Sequence, residues 1–547
     1  MSRSLMIVSV LTLYSAILIA LSYRTRRRNG VSGYFDGGRE FSAATIFVMV
    51  TALWTSSTIA LEIDTGYVSG WTAVWLGVST ALLSILVSLL APYLRRLNYT
   101  TNSDLLGQAF GALPRRLSGI IIAMTFPIFA MSNMLFAAYF LRALLGTPLW
   151  MTLAVTTAVL VAVVQFAGLR SLAAVQGMNL LLIFVGLGIM VSLVGGLPPI
   201  TLHPVAHFTP VPPSLILVWL TMNLLNVFSA QAEYQAVVSA RNVARARWAV
   251  LLSALLLGGV VVAATWVGEI IRQFVGSLPG GGLAAISRLV MVHATPLQTL
   301  GMALGVWALA LTWCGPLLFS GAVSLGRDVI GHQVLSARFA LVIEGALLVG
   351  LALLRPGELA WWSVFGLTLR NAGVVGPTVA CLIWRGKLSG RWVTAAIGGG
   401  IVSGLGLNAL TGFSATNFPW QINPMWIAQT VALLILAAGR WWYSRRWVAS
   451  GTWAMLSAAM ASTVMLTSWI PGSVRGLLLL MVAVCAFVVT HFFSEIPRPA
   501  TAGNGEAGPE VLPARPCFTP VVPSGLFADG LECSRGESLP GSNLINS

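Results

Sequence analysis

Residues 55–71 read TSSTIALEIDTGYVSGW, and they complete an apolar run that begins near Ala43. The run is long enough to cross a membrane as a helix, yet it contains the two acids Glu62 and Asp64. Four hydroxyl residues in succession, TSST, precede the acids. A carboxylate inside a membrane span is costly unless it is paired, protonated or facing water. The stretch therefore predicts either a functional site or a buried charge partner within a membrane helix.

The composition of the whole chain is that of a membrane protein. Of its 547 residues, 57% are hydrophobic and only 9% are charged, and the mean hydropathy is +0.86. A water-soluble core could not bury so much apolar surface. Apolar runs of about 20 residues, the length of a helix that crosses the bilayer, recur about fifteen times and predict an all-α polytopic protein. They lie near 5–23, 43–68, 71–93, 117–145, 148–167, 171–196, 214–237, 246–274, 297–323, 337–355, 361–384, 392–411, 424–440, 451–470 and 475–494.

The net charge of +15 is distributed as a topology signal. Basic residues concentrate in alternate connections between the predicted spans, near 24–39, 95–116, 241–247, 327–338, 385–391 and 440–446. By the positive-inside rule these connections are cytoplasmic, which places the N-terminus outside and the C-terminus in the cytoplasm. The sequence thus predicts a multi-pass protein of the inner or plasma membrane, in contact with the lipid bilayer and without a nucleic-acid partner.

The chain contains no motif of soluble-enzyme chemistry. It has no Walker sequence, which argues against an ATP-driven pump, and its five histidines lack the spacing of zinc ligands. No cofactor and no enzymatic activity are expected. By elimination the sequence predicts a secondary transporter, with a channel or a membrane receptor as the alternatives.

Further stretches accompany the opening one in a fixed order. They are SGYFDGGREFSA (32–43), the helix end Tyr67-Val68-Ser69-Gly70, FAGLRSLAAVQGMN (166–179), QAEYQAVVSARNVARARWA (231–249) and SLGRDVI (324–330). Across roughly residues 30–390, the order and spacing of these stretches resemble the sodium:solute symporter family. The chain is similar to a divergent member of that family.

The resemblance implies a LeuT-type core of ten helices in two inverted five-helix repeats. The implied segments are a first transmembrane helix and basic cytoplasmic loop (1–41), the first repeat (42–196), the second repeat (214–384), about four further transmembrane helices (385–494) and a disordered cytoplasmic tail (495–547). The first helix of each repeat would be interrupted near the middle of the membrane, because unwinding frees backbone groups for an ion and a substrate. These two helices contain the opening stretch and LTMNLLNVFSAQAEYQ (220–235).

The resemblance also implies where a solute binds. Polar residues of the first and sixth core helices match substrate-contacting positions: Ser56, Ser57 and Thr58 on the first, and Asn223, Asn226 and Gln231 on the sixth. Hydroxyls and amides can both donate and accept hydrogen bonds. For the asparagines, hydrogen bonds between helices are the alternative interpretation.

The sodium site implied by the resemblance uses the backbone carbonyls of Thr51 and Trp54 and a hydroxyl pair on the eighth core helix. The match places that pair at Thr312 and Trp313, so only Thr312 keeps an oxygen. Gln176 stands at a further position where the family usually has Asp. Because a hard cation needs oxygen ligands, this metal site is weakened, and protons rival sodium as the coupling ion.

Glu62 and Asp64 lie one to two turns outward of the implied substrate positions. They are either an outer proton acceptor or an anchor for a cationic solute, or they pair with Arg370 in the tenth core helix, or they face a water-filled vestibule. Arg370 in turn either pairs with Glu62, Asp64 or Glu233, or receives a carboxylate of the solute.

The sequence therefore predicts an ion-coupled symporter that takes up a small polar or charged organic solute by alternating access. The coupling ion is Na⁺ or H⁺. The alternative is a membrane sensor that retains the symporter fold without coupled transport. The sequence indicates no particular solute and no oligomeric state.

Overall fold

The chain is built of α-helices. The computed structural model describes residues 3–495 apart from 27–30, 98, 198–207, 277, 279–280, 332–333, 357–358, 415–416, 445–446 and 468, so the predicted tail after residue 495 lies outside the described residues. The described helices are α1 (Arg3–Arg26), α2 (Val31–Asp36), α3 (Ala43–Ser69), α4 (Val74–Arg96), α5 (Asn102–Phe110), α6 (Ala112–Leu145), α7 (Leu149–Gln165), α8 (Leu169–Gly195), α9 (Pro213–Asn226), α10 (Gln231–Val238), α11 (Val243–Val275), α12 (Gly281–His293), α13 (Pro296–Val323), α14 (Val334–Leu354), α15 (Leu359–Arg370), α16 (Gly376–Ile383), α17 (Gly390–Leu410), α18 (Pro424–Ser444), α19 (Trp447–Leu466) and α20 (Gly472–Glu495).

A helix overlaps each of the fifteen predicted apolar runs. Helices are expected here, because a chain segment inside the hydrocarbon of a bilayer must satisfy its backbone hydrogen-bonding groups internally. Within the described ranges, eleven helical stretches are long and apolar enough to cross a membrane, with α3 and α4 taken together as one stretch of 54 residues. If the bent pair α9 and α10 is counted as one further span, the described residues contain twelve candidate membrane spans. The exact number of crossings stays a prediction.

The predicted interruption of the sixth core helix is present. The chain bends by 42° between α9 and α10. Side chains from other parts of the chain bond the carbonyls near the bend: Asn102 Nδ2 donates to Phe228 O at 2.7 Å, and Asn371 Nδ2 donates to Met222 O at 3.0 Å. Irregular backbone at membrane depth requires partners of this kind.

The first core helix, α3, is continuous. It begins after Ser42, whose Oγ accepts from the backbone nitrogen of Thr45 at 3.1 Å. It ends at Gly70, which has a φ of +58° and therefore a conformation that favours glycine. Between these caps the α-helix runs unbroken through the hydroxyl cluster and both acids.

The predicted interruption of α3 is therefore wrong. Ser56 Oγ donates to Leu53 O of the same helix at 2.8 Å, which leaves the helical hydrogen-bond pattern intact. In the part of the chain that the structure describes, no side chain from another helix bonds the backbone of residues 50–65. Without such partners, freed backbone groups would be unsatisfied in the membrane, so the regular helix is favoured.

Helix α3 packs against α11, α8, α13 and α6. Its contact with α11 depends on glycines: a Cβ on Gly268 would lie 2.4 Å from Ile63 O, and a Cβ on Gly66 would lie 2.8 Å from Thr265 O. Small residues let two membrane helices approach closely. This close packing fixes the face of α3 that points away from α11.

Two π-helical segments continue core helices. Ser324–Ile330 continues the deeply buried α13, and Asn371–Val375 joins α15 to α16. Arg370, the last residue of α15, lies at the second of these junctions. Single π turns inside helices are frequent at functional sites, and this one places a charged side chain in the bundle interior.

Candidate functional site

The Arg370 side chain is buried between three helices, with an exposed fraction of 1%. Its Nη2 donates to Asn226 Oδ1, at the end of α9, at 2.6 Å. Its guanidinium carbon lies 4.8 Å from the ring centre of Phe126 and 5.2 Å from that of Phe129, both on α6. Its Nε has no hydrogen-bond partner within the described residues. Two aromatic faces and one amide oxygen thus stabilise the cation and leave part of its donor fork free.

Glu233, in the first turn of α10, is the acid near Arg370. It is 1% exposed, and neither carboxyl oxygen has a hydrogen-bond partner among the residues described. Glu233 and Arg370 form no salt bridge, since none of the ion pairs within 4.0 Å in the described chain includes either residue. Two residues of opposite charge are therefore buried without an ion-pair contact.

The bend between α9 and α10 is held by a polar cluster beside Arg370. Ser229 Oγ lies 3.0 Å from Asn226 Oδ1 and 2.9 Å from Asn371 Oδ1. The amide nitrogen of Asn226 has no partner among the described side chains and backbone groups. Of the predicted substrate residues on α9, Asn226 therefore has a side-chain N–H group that is free to donate a hydrogen bond to a solute.

Gln231 is bound to other helices instead. Its Oε1 accepts from the backbone nitrogen of Asn102 at 2.9 Å, and its Nε2 lies 3.0 Å from Ser320 Oγ and 2.9 Å from Ser324 Oγ. These contacts occupy both ends of the amide. Gln231 therefore joins α10 to α5 and α13, and its role as a substrate contact stays a prediction.

Asn223 also has a structural partner. Its Nδ2 donates to Ser79 Oγ on α4 at 2.7 Å. This is the interhelical hydrogen bond that the sequence left open as an alternative, and it directs the amide toward α4 rather than toward α3.

The hydroxyl cluster of α3 is buried as a whole. The hydroxyl of Ser56 bonds its own helix, as described above. Ser57 is 5% exposed, and the hydroxyls of Thr55 and Thr58 have no hydrogen-bond partner within the described chain. Buried hydroxyls without partners are costly in an apolar interior, so this face of α3 offers hydrogen bonds to a ligand.

Aromatic rings connect α3 to α6 through α13. The ring centres of Trp54 and Trp313 are 5.9 Å apart, and those of Trp313 and Phe129 are 5.1 Å apart. Trp313 Nε1 donates to Phe129 O at 3.3 Å. Since Phe129 also lies against Arg370, the indole at position 313 belongs to an apolar wall beside the guanidinium.

Glu62 points away from Arg370. Its Oε2 accepts from Thr265 Oγ1 on α11 at 2.9 Å. Its Oε1 has no hydrogen-bond partner in the described part of the chain and lies over Gly77, where a Cβ would be 2.8 Å away. Pairing of Glu62 with Arg370 is therefore corrected: the carboxyl is buried between α3, α4 and α11.

Asp64 anchors an outer helix. Its Oδ1 accepts from the backbone nitrogen of Gly282 at 3.1 Å, in the first turn of α12. A carboxylate is stabilised at that end of a helix by free N–H groups and the helix dipole. Pairing of Asp64 with Arg370 is likewise corrected, because its partner in the structure is a helix N-terminus.

The overall fold has solved counterparts. The structure aligns with a substrate-bound, outward-open Na⁺-coupled sialic acid symporter at a TM-score of 0.64 and 16% identity, over 81% of this chain and 97% of that protein. It also aligns with Mhp1, a nucleobase-cation-symport-1 family transporter in a closed conformation with bromovinylhydantoin bound. That TM-score is 0.50 at 12% identity, over 84% of this chain and 94% of Mhp1.

The chain has the LeuT-type fold. No protein-family model matches its sequence, and no curated protein matches it by sequence. The likeness is therefore one of three-dimensional structure, and the Arg370 site lies where α3, the bend of α9 and α10, α6 and α15 of this LeuT-type core meet.

The predicted sodium ligands lie on α3 and α13, two helices of this LeuT-type core that pack against each other. Thr51 Oγ1 lies 2.7 Å from Ser253 Oγ on α11. The carbonyls of Thr51 and Trp54 belong to the continuous helix α3, where such groups accept helical hydrogen bonds. Thr312 Oγ1 is buried without a partner among the described residues, while Thr312 O accepts from Gln176 Nε2 at 3.3 Å. Thr312 and Gln176 are therefore neighbours, the hydroxyl of Thr51 bonds α11, and the sodium site stays a prediction.

Sequence reasoning missed a polar cluster at the end of α13. Asp328, from the motif SLGRDVI, has a fully buried side chain that accepts from Arg115 Nη2 at 2.7 Å and Ser103 Oγ at 2.6 Å, and from Thr101 Oγ1. Asp104 lies 3.6 Å from Arg115 Nη2. The Arg-Asp motif was visible in the sequence, but its partners on α5 and α6 lie more than 200 positions away.

The aromatic neighbours of Arg370 were also missed. Phe126 and Phe129 belong to a uniformly apolar stretch of α6 and carry no motif. Their spacing of three residues places them on one helix face. Only the fold shows that this face meets Arg370.

Proposed function

We propose that this protein is a secondary active transporter that carries a small polar or charged organic solute by alternating access, and that it is a divergent member of the sodium:solute symporter family. The observation that supports this most strongly is the pair of buried charges, Arg370 and Glu233, at the bend between α9 and α10. In LeuT-type folds, discontinuous helices hold the solute near the bilayer midplane. A buried charge without a salt bridge is costly and marks a functional site by default.

The solute binds between the bend and α3. Arg370 and Asn226 supply hydrogen-bond donors from one side, and Ser57 and Thr58 supply hydroxyls from the other. The rings of Phe129 and Trp313 form the apolar wall. This is a site for a small organic molecule, with no cofactor and no enzymatic chemistry.

An ion gradient drives uptake. Sodium is the family default, and its proposed ligands are the backbone carbonyls of Thr51 and Trp54 and the hydroxyl of Thr312, which has no partner among the described residues. Proton coupling is the second candidate, and one observation favours it: Glu62 is buried, with Thr265 as its hydrogen-bond donor and its other oxygen unpartnered among the described residues. A carboxyl in that setting can gain and lose a proton as access alternates.

We further propose the predicted organisation of the chain. The inverted repeats occupy 42–196 and 214–384, after an N-terminal segment (1–41) and before further membrane helices (385–494) and a tail (495–547). The protein is an integral multi-pass membrane protein, and the charge pattern supports an N-terminus outside and a C-terminus in the cytoplasm.

Gradient-driven uptake into proteoliposomes tests this function. The probe is the radiolabelled solute that most raises the melting temperature of the purified protein, chosen among amino acids, polyamines, sugars and carboxylates, because a ligand of the folded state stabilises it. We expect accumulation under an imposed sodium gradient or, separately, an imposed pH gradient. Accumulation without sodium that loses its pH dependence in Glu62→Gln establishes proton coupling. Binding without accumulation under either gradient contradicts transport and establishes a sensor.

A further inference from the structure

A pocket apart from the Arg370 site lies where three membrane helices begin. Its volume is about 360 Å³, which is within the range of sites for small molecules. Its lining includes Ser214 and Leu215 in the first turn of α9, Trp426 in the first turn of α18, and Gly472 and Ser473 in the first turn of α20. Helix α20 packs against both α9 and α18. The charge pattern predicts that all three helices begin on the outer side of the membrane.

The starts of these helices make the pocket electrostatically positive. The N-terminal end of a helix carries a partial positive charge, and its first N–H groups have no partner within the helix. The backbone N–H groups of Gly472 and Ser473 also have no partner elsewhere among the described residues. Helices α9 and α18 begin with Pro213 and Pro424, which carry no N–H, so these two contribute mainly through their dipoles. Together the three helix ends favour an anion.

A buried cation adds to this positive charge. Arg475, the fourth residue of α20, is 7% exposed, and its Nε has no hydrogen-bond partner in the described chain. Its Nη2 donates to Trp420 O at 2.8 Å, next in sequence to Gln421 of the pocket lining. None of the ion pairs between described residues includes Arg475. A buried charge without a counter-ion is costly, so a bound anion would stabilise this region.

Trp426 supplies a hydrogen-bond donor to the pocket. Its side chain is 0% exposed, and its Nε1 has no partner among the described residues. The indole lies against α20, since a Cβ on Gly476 would be 2.5 Å from Trp426 Cδ1, the ring carbon bonded to Nε1. A buried N–H without an acceptor is costly. Because the indole N–H can only donate, the partner that it lacks is an acceptor.

Apolar side chains form the rest of the wall. Leu215, Val218 and Phe418 line the pocket together with the Trp426 ring. A small inorganic ion would leave these side chains without contacts, whereas an organic anion buries apolar surface against them. The lining therefore suits a molecule with one anionic end and one apolar end.

We propose that this pocket binds a small organic carboxylate. Its oxygens accept from Trp426 Nε1 and from the N–H groups at the start of α20, Arg475 balances its charge, and its carbon skeleton packs against Leu215, Val218 and Phe418. The pocket shares no lining residue with the Arg370 site, and the proposal does not depend on transport.

Calorimetric titration of the purified full-length protein tests the proposal. Acetate, hexanoate and benzoate are each titrated beside the amide of the same acid, which has nearly the same shape without the charge. We expect at least one carboxylate to bind about 10-fold or more tightly than its amide, because hydrogen bonds to a charged acceptor are stronger than those to a neutral one. If no carboxylate binds, or if every amide binds as tightly as its acid, the proposal is overturned.

A tryptophan variant tests whether the carboxylate lies in this pocket. Trp426→Phe removes the N–H group, keeps an aromatic ring and should weaken the tightest carboxylate about 10-fold. Trp384→Phe is the matched control, because Trp384 is also 0% exposed but its Nε1 donates to His491 Nδ1 at 3.0 Å. The control should bind the carboxylate as the wild type does. Equal affinities in the two variants would overturn the proposal.

Ser473→Asp gives a second test that does not remove a core side chain. It places a carboxylate in the first turn of α20, where the helix dipole stabilises an acid. We expect a melting temperature at or above that of the wild type and no measurable binding of the added carboxylate, since the new side chain occupies the positive end of the pocket. Binding at wild-type affinity would overturn the proposal.

Arg370→Gln distinguishes this pocket from the core site. The variant should bind the tightest carboxylate with wild-type affinity, because Arg370 does not line the pocket. A carboxylate that is lost in Arg370→Gln and retained in Trp426→Phe binds at the core site, which overturns this proposal and leaves the proposed transport function intact. Failure of the wild type to accumulate any solute contradicts transport and leaves the carboxylate pocket intact.

Discussion

The carboxyl of Asp64 on α3 accepts a 3.1 Å hydrogen bond from the backbone nitrogen of Gly282 on α12. Helix α12 also packs against α6 and α11. A Cβ on Gly282 would lie 2.9 Å from the Cα of Asp64, so the two backbones are in close contact. One acid of the opening sequence stretch thus joins α3 to the short helix α12.

Asp64→Ala is expected to loosen α12. The variant leaves the Gly282 nitrogen without its acceptor, which costs about 1 kcal/mol, and amide hydrogen exchange in residues 283–293 should become about 5-fold faster. Asp64→Asn retains an acceptor oxygen and is expected to exchange nearly as slowly as the wild type. Equal exchange rates in the alanine variant and the wild type would contradict the anchoring role.

The packing of α3 against α11 is tested by two glycines of the same helix. Gly268→Ala would place a Cβ 2.4 Å from Ile63 O and 2.8 Å from Tyr67 N, and it should destabilise the protein by about 1–3 kcal/mol through overpacking. Gly258→Ala is the control, because nothing lies within 4 Å of its Cβ position and alanine is the better helix former. Thermal melts of the purified protein measure both. A Gly268→Ala melting temperature at or above that of Gly258→Ala would contradict close packing here.

Asp328 is expected to stabilise the end of α13. Asp328→Asn removes the charge that pairs with Arg115 at 2.7 Å and leaves that arginine with the longer contact to Asp104, at 3.6 Å. This loss should cost about 2 kcal/mol. Glu40→Gln is the matched control, since Glu40 is 69% exposed in its pair with Arg170 and exposed pairs contribute little. Thermal melts measure both variants, and we expect Asp328→Asn to lower the melting temperature more than Glu40→Gln does. Equal losses would show that burial of the Asp328 pair has no special role.

The hydrogen bond from Arg370 to Asn226 gives a further prediction. Asn226→Leu removes the acceptor beside a buried cation and should lower the melting temperature, at a cost of about 2 kcal/mol. Asn226→Asp places a carboxylate at the same position and should preserve the melting temperature while blocking solute binding, because the guanidinium gains a permanent partner. If Asn226→Asp melts at the same temperature as the wild type and also binds the solute equally well, the assigned geometry is contradicted.

Sequence reasoning identified the membrane helices because bilayer thickness and apolar content determine them. The runs near 43–68 and 214–237 both became helices of the core, and motif resemblance identified the LeuT-type fold. The two runs nevertheless differ at their centres. Asn102 and Asn371 bond carbonyls at the bend after α9, whereas within the described chain no side chain from another helix bonds the backbone of residues 50–65 of α3. No local pattern in the sequence separates these cases.

The site was only partly predictable for the same reason. Asn226, Arg370 and Glu233 were identified as polar residues in apolar surroundings, which is a local property. The contact between Asn226 and Arg370 was not predictable, because the two residues are 144 positions apart in the sequence. From the sequence, pairing of Arg370 with Glu62 or Asp64 was an equally good prediction. Long-range partners depend on the packing of helices, which a single sequence does not show.

Solute accumulation in proteoliposomes tests the central claim most directly. Wild-type protein is expected to concentrate its best-binding solute under an imposed sodium or proton gradient, whereas Arg370→Gln, reconstituted at equal density with an unchanged melting profile, should show only background uptake. Equal gradient-driven accumulation by both proteins would contradict the assignment of the Arg370 site as the transport site. No accumulation by the wild type under either gradient would contradict the proposal that this protein is a transporter.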